Sequence, residues 1–361
     1  MVVSAGEPSG ELLLGLLTKE LAQQAPDCEV GRLQDEVRLD PVFGFWQGLR
    51  AAASVRRSLA QAEGYVVRLK PDLTVLASYS GFHLPLSRRL RRRGLQILYL
   101  GPPQVWAWGG WRKRRLRGAA DKVVCLFRFE EDLLRRAGVD AVYLGYPLLD
   151  SITARPSRAQ TLQKLGLGRD EHYVVFLPGS RPAEIVHHRP LFTEVFAMLR
   201  RKVGGLRGVM VTAGASPESQ VRSPESPSGL VSVSDNRYDV MRHADCACAV
   251  SGTVTAELAI LSVPMVVCYH LQWLSRVMAQ VFVRTPYFAL PNILAGKRLV
   301  PEVLEPEPEV LARGLELLTR DSDERRQQAE GLARVRAGLG PPGGMARVCQ
   351  LACQMAARRR P

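Results

Sequence analysis

Hydrophobic positions along the chain follow two rhythms in turn. Short continuous apolar runs, rich in Val, Ile and Leu, alternate with longer stretches where apolar residues recur every three or four positions. The first rhythm predicts buried strands, the second amphipathic helices. In the first half, strand-like runs fall at 1–4, 73–78, 97–100, 122–127 and 141–145, with helices expected at 12–24, 49–69 and 84–93. A polar stretch at 150–171, with Pro156, Ser157 and a Gly-Leu-Gly-Arg-Asp turn signal, reads as a linker or domain boundary. A second series follows, with strands at 173–177, 208–213, 230–232, 246–250 and 264–269 and helices at 191–202, 237–243 and 254–261. The Ser/Pro-rich stretch 216–229 reads as a surface loop, and the chain after Pro301 reads as helical, ending in an Arg-rich tail.

This alternation predicts an α/β fold with parallel sheets. The economical arrangement is two Rossmann-like domains facing a central cleft, at 1–155 and 165–325, with a helical tail at 326–361 packing back toward the N-terminal domain. Ligands in such folds bind beyond the carboxyl ends of the strands, so the residues that follow strands carry the most information.

Composition narrows the partners. The 361 residues are 46% apolar and 23% charged, ordinary for a globular chain, but the net charge of +14 calls for an anionic partner. Seven cysteines in no regular framework suit a reduced, cytoplasmic protein, and Cys246-Ala-Cys248 within an apolar run reads as core thiols. No signal-peptide pattern is expected at the N-terminus, and no apolar run is long enough to span a bilayer. Nucleic acid is disfavoured, because no zinc-finger, RNP-like or basic-zipper pattern accompanies the charge.

Two strand-to-loop junctions in the second half suit a nucleotide diphosphate. In FLPGSRPAEI (176–185), Gly179 permits close backbone approach, Ser180 offers a hydroxyl, and Arg181 offers a cationic fork. In AVSGTVTAELAI (249–260), Ser251-Gly252-Thr253 turns into a helix whose free N–H groups form an anion site. Glu257, one turn beyond Thr253, can accept ribose hydroxyls. The plainer reading makes Ser251 and Thr253 simple caps. Neither junction matches a P-loop or a full GxGxxG fingerprint.

The motifs SAGEPSGE, PQVWAW, FRFE, GYPLLD, LPGSRPAEI, SGTVTAELAI, PMVVCYH and LPNILAG occur in an order that resembles the lipid-A-disaccharide synthase family, from Ser4 to about Glu302. The resemblance implies an inverting GT-B glycosyltransferase that needs no metal or cofactor. It implies transfer of diacylglucosamine from its UDP-activated form to diacylglucosamine 1-phosphate in a β-1,6 linkage, releasing UDP. It also implies a peripheral place on the cytoplasmic face of the inner membrane. Gly179, Ser180, Arg181, Ser251, Gly252, Thr253, Glu257 and Asn292 would then bind the donor, with Arg181 also offsetting leaving-group charge. Gly6, Ser9, Gly10, Trp106 and Trp108 would face the acceptor. The same donor site is compatible with another UDP-sugar transferase or epimerase, or with a non-catalytic UDP-sugar or lipid-binding homologue.

The departures from the family cluster in the first half. Where the family has D-x-P-D-F-N, this chain reads Ser78-Tyr79-Ser80-Gly81-Phe82-His83, so both aspartates are missing. Pro102-Pro103-Gln104 stands before the Trp segment where Ser-Pro-Ser is usual, Arg128 replaces a Pro, Tyr146 replaces a His, and the chain is shortened between Cys28 and Pro41. The proton of the acceptor hydroxyl then falls to Glu7, Glu11 or His83. SAGEPSGE reads as an acceptor-side loop, because its two carboxylates repel a diphosphate. Basic runs fall at 88–93 and 111–117. The second, just beyond Trp106, Trp108 and Trp111, suits an anionic membrane or phosphate, with Trp46, Arg112, Lys113, Arg114 and Arg115 as membrane contacts. The first suits a membrane or a solvated Arg-rich face equally. A homodimer is compatible with the sequence.

Overall fold

The computed structural model describes residues 1–37, 52–106, 112–152, 157–180, 182–212, 230–234, 237–270 and 286–358. The chain forms two compact units. The first holds Met1–Ser151 and Leu339–Pro361, and the second holds most of the chain from Ile152 to Gly338.

The first unit is built on six parallel strands, β1 (Val2–Ser4), β2 (Gly31–Arg32), β3 (Thr74–Ala77), β4 (Ile97–Leu100), β5 (Lys122–Cys125) and β6 (Ala141–Tyr143). Their order is β2-β1-β3-β4-β5-β6. Alternate side chains leave opposite faces. Val3, Val75, Leu98, Leu100 and Val124 pack against α1 (Pro8–Gln24) and the C-terminal helix Gly344–Ala357. Val2, Leu76, Ile97, Tyr99 and Val123 pack against α2 (Ala52–Leu69) and α3 (Ser80–Arg92) on the other face. Both faces are dry, which is why these strands read as continuous apolar runs. Two short helices complete this unit's crossovers, α4 (Arg112–Leu116) and α5 (Arg128–Arg135).

The second unit repeats the plan with β7 (Tyr173–Leu177), β8 (Arg207–Val211), β9 (Leu230–Val233), β10 (Cys246–Val250), β11 (Met265–Tyr269) and β12 (Glu302–Leu304). The strands are again parallel, ordered β12-β11-β10-β7-β8-β9. Its helices are α6 (Arg158–Leu165), α7 (Pro182–Lys202), α8 (Arg237–Arg242), α9 (Thr253–Ile260), α10 (Leu290–Ala295), α11 (Pro308–Thr319) and α12 (Asp323–Gly338), after which α13 (Gly344–Ala357) returns to the first unit. Cys246 and Cys248 are buried among the apolar side chains of this sheet. Burial pushes the Cys248 thiol well up, and the neighbouring Cys268 adds to the rise.

Three sequence expectations are corrected. The stretch 150–171 is not merely a linker, since it contains α6, opened by a reciprocal capping box between Ser157 and Gln160 and closed by Gly166 at φ +72°. The segment after Pro301 begins as strand β12, whose short apolar content is masked by Glu302 and Glu305. Helices α1, α3 and α7 start earlier than their apolar rhythm indicates, because Pro8 and Pro182 suit a first helical turn and Ser80 follows a left-handed residue. The expected loop 216–229 lies outside the described residues.

Candidate functional site

In the first unit, the loop after β1 and the turn after β3 meet. Ser4 is fully buried, and its hydroxyl faces His83 Nε2 at 3.0 Å. His83 Nδ1 lies 3.0 Å from the Ser78 carbonyl oxygen, which can only accept, so Nδ1 carries the proton. Nε2 is then the acceptor and Ser4 the donor. Burial pulls the His83 pKa down to about 4, so the ring is neutral, with no exposed surface. The Ser78 carbonyl also accepts from the Tyr99 hydroxyl at 2.8 Å.

Ser78 and Tyr79 both adopt the left-handed region, at φ +50° and +46°. This pair costs conformational energy, and Glu7 offsets it by accepting the Tyr79 N–H at 3.1 Å. Gly6 is required beneath the Tyr79 ring, since a Cβ there would stand 2.1 Å from Tyr79 Cδ1. Gly10 lets α1 touch the end of β3, with a Cβ falling 2.9 Å from the Ala77 carbonyl oxygen. Ser9 lies between them in the first turn of α1, partly exposed.

Glu11 forms an ion pair with Arg32 from edge strand β2 and accepts from Gln34 Nε2 at 3.2 Å. Gln34 Nε2 also donates to the Ala5 carbonyl. Of the two expected loop carboxylates, Glu7 is engaged with backbone, whereas the Glu11 side chain is 42% exposed. Trp106 is half-buried and donates from Nε1 to Glu130 Oε1 at 2.8 Å. Glu130 Oε2 accepts the N–H groups of Leu126 and Phe127, and burial pushes the Glu130 pKa up to about 7. Trp46 and Trp108 lie outside the described residues.

The basic runs divide. On α3, Arg89 and Arg93 pair with Glu63 and Arg91 pairs with Asp121, while Arg88 donates to the Arg115 carbonyl. Much of that run is therefore tied into the fold. On α4, Lys113 is half-buried while Arg114 and Arg115 are exposed; Arg112 opens the helix.

In the second unit, β7 ends in Leu177 and the chain turns at Gly179, φ +119°. A Cβ there would meet Glu184 Oε2 at 2.5 Å, and the Ser180 N–H donates to the same oxygen at 3.1 Å. Arg181 lies outside the described residues. After β10, the Ser251 hydroxyl donates to the Phe288 carbonyl at 2.9 Å, so it fixes a loop rather than capping a helix. Gly252 takes the cap position with extended backbone, and none of the described residues lies within 4 Å of where its Cβ would be. The first turn of α9 begins at Thr253, where helix N–H groups have no partner within the helix, and the Thr255 N–H donates to the Gly252 carbonyl at 3.1 Å.

Glu257 is 2% exposed. Its Oε1 accepts from Arg237 at 2.9 Å and from the Tyr238 hydroxyl at 3.4 Å, while its Oε2 is buried without a hydrogen-bond partner among the described residues. Asn292 is fully buried, and its amide is spent. Nδ2 donates to the Val300 carbonyl and to Glu302 Oε1, and Oδ1 accepts from the N–H groups of Leu299 and Val300. As placed, Asn292 organises the loop that carries LPNILAG. Sequence reasoning passed over Arg237, Tyr238, Glu302 and Arg32, whose partners lie 10 to 21 residues away with no periodic signal between them.

Comparison with known proteins adds the family. The family model described as lipid-A-disaccharide synthetase matches residues 1–339. The chain belongs to the lipid-A-disaccharide synthase family. A lipid-A-disaccharide synthase of Geobacter metallireducens is 30% identical over 377 residues, covering 100% of this chain and 98% of its own. One of Syntrophus aciditrophicus is 34% identical over 289 residues, covering 79% of this chain and 76% of its own. Among solved structures, the UDP-GlcNAc 2-epimerase of Neisseria meningitidis bound to UDP-GlcNAc superposes with a TM-score of 0.63 at 10% identity, covering 98% of this chain and 99% of that one, a likeness of fold. Membership of the lipid-A-disaccharide synthase family makes the chain a GT-B glycosyltransferase of lipid A biosynthesis. Among the described residues no helix is long and apolar enough to cross a membrane.

Proposed function

We propose that the protein transfers diacylglucosamine from UDP-diacylglucosamine to the 6-hydroxyl of diacylglucosamine 1-phosphate. The observation that carries this reading is the turn at Ser251-Gly252-Thr253, a glycine-capped helix start with a buried carboxylate one turn further on. The helix start and Arg181 suit the diphosphate, and Glu257 suits the ribose. Gly179 suits close backbone approach to the diphosphate, and Ser180 offers its hydroxyl, its N–H being taken by Glu184. Asn292 acts indirectly, by fixing the loop that Ser251 holds.

The acceptor belongs to the loop of Gly6, Ser9 and Gly10, with the Trp106 ring beside it. The acceptor hydroxyl oxygen bonds to C1 of the donor sugar as the bond from C1 to the diphosphate oxygen breaks. The hydroxyl proton passes to a carboxylate, and UDP leaves with the bonding electron pair. Glu11 is the better acceptor of that proton: both glutamates are partly exposed, but Glu7 is committed to the Tyr79 N–H, whereas Glu11 is tied only to the side chains of Arg32 and Gln34. Glu7 serves the turn, and neutral, enclosed His83 serves the wall behind it. Exposed Arg114 and Arg115, with Arg112, Lys113 and Trp46, favour peripheral contact with an anionic leaflet, each cation contributing about 1 kcal/mol.

The decisive experiment measures UDP release from UDP-diacylglucosamine with and without diacylglucosamine 1-phosphate. Release that requires the acceptor supports transfer. UDP binding without release, or conversion of donor without acceptor, would instead favour a binding protein or an epimerase, the reading to which the missing carboxylates at Ser78 and Gly81 point.

A further inference from the structure

A buried carboxylate oxygen without a partner is costly, because its lost hydration is not replaced. Among the described residues Glu257 Oε2 is such an atom, while Oε1 of the same group is held twice. The asymmetry comes from α8. Arg237 Nη2 sits 2.9 Å from Oε1 and 2.7 Å from the Tyr238 hydroxyl, so one guanidinium nitrogen ties the carboxylate and the phenol together. The carboxylate cannot rotate to share its oxygens without giving up that contact. Arg237 is itself mostly buried, its side chain 29% exposed, so the pair is screened less than a surface bridge.

We infer that Arg237 is a positioning residue, which holds Glu257 by Oε1 so that Oε2 is left for the ribose hydroxyls of a uridine nucleotide. The inference rests on the reading of Glu257 as the ribose acceptor and adds what makes that acceptor work. Only the ionised carboxylate accepts with both oxygens at full strength. Burial favours the neutral acid, and Arg237 is the principal influence opposing it, with Tyr238 assisting. Among the described residues these two are the titratable groups acting on Glu257. Without Arg237 the acid stays protonated to higher pH, and Oε2 loses its aim.

The test compares binding of UDP and 2′,3′-dideoxy-UDP to the full chain by calorimetry between pH 6 and 9. The wild type is expected to prefer UDP by about 10- to 100-fold, the range of one charged hydrogen bond or more. Arg237→Met is expected to bind dideoxy-UDP normally, which also reports that it is folded, and to lose most of the preference at pH 7 while regaining part of it by pH 9. Arg237→Lys, which keeps the charge, is expected to retain most of the preference throughout. The inference is overturned if Arg237→Met keeps the full preference at pH 7, or if Arg237→Lys loses it as completely as Arg237→Met. Should Arg237→Met fail to bind dideoxy-UDP, the lysine variant decides alone. A wild type that does not distinguish the two nucleotides overturns the ribose reading of Glu257 itself, and this inference with it.

Discussion

The hydroxyl of Ser4 donates to Nε2 of His83 across 3.0 Å and 79 residues of chain. The bond closes the end of β1 onto the first turn of α3, and through Nδ1 it also grips the left-handed turn at Ser78. In this direction it requires a neutral imidazole; a protonated Nε2 would have to donate to the hydroxyl instead, as a cation buried with no exposed surface.

Acid should therefore attack this junction. The His83 pKa is lowered from 6.5 to about 4, so its contribution is present above 6.5 and is lost as pH falls from 6.5 through 4. By linkage that contribution reaches about 3 kcal/mol. Urea unfolding of His83→Gln and wild type across that window should show their stability difference shrinking toward acid; a difference independent of pH would contradict the assignment.

Glu130 works in the opposite sense. Its pKa is raised from 4.5 to about 7, so its contribution is full below 4.5 and is lost as pH rises through 7. Glu130→Gln should remove that slope. It should also cost about 1–3 kcal/mol, since an amide cannot accept from the Trp106 indole and from two backbone N–H groups at once. Unfolding at several pH values gives both, and Trp106 fluorescence reports the indole directly.

Gly10 and Gly6 differ in what an added methyl would meet. At Gly10 the obstacle is the Ala77 backbone, which cannot swing aside, whereas at Gly6 it is the Tyr79 ring. Gly10→Ala should destabilise the protein by about 1–3 kcal/mol. Gly6→Ala should displace the ring and lower turnover more than stability. Parallel thermal melts and UDP-release assays would distinguish the two; equal effects on stability and turnover in both variants would refute the distinction.

The two loop carboxylates should separate in the same assay. Glu11→Gln is expected to reduce turnover by about 100-fold or more while leaving UDP affinity unchanged, as for loss of a general base. Glu7→Gln retains an oxygen for the Tyr79 N–H and should cost much less. A larger loss at Glu7 would transfer the proton to that residue.

The sequence by itself determined the parts that depend on local order. Strand-and-helix alternation fixed two parallel α/β units, because a strand dry on both faces must be apolar throughout, as Ile97–Leu100 and Cys246–Val250 are. It also marked the loops after β1, β7 and β10, where glycines permit close approach. Capping boxes were legible in principle, as at Ser157 and Gln160, but short edge strands such as β2 and β12 carry too few residues for a rhythm. Tertiary structure alone decided how each polar side chain is used. His83 became an enclosed strut and Asn292 a loop staple, Glu11 paired with Arg32 on the edge strand, and Arg237 took hold of Glu257. The physical reason is that periodicity reports only which face of an element is dry. A buried polar group takes its role from partners that the chain brings in from far along the sequence.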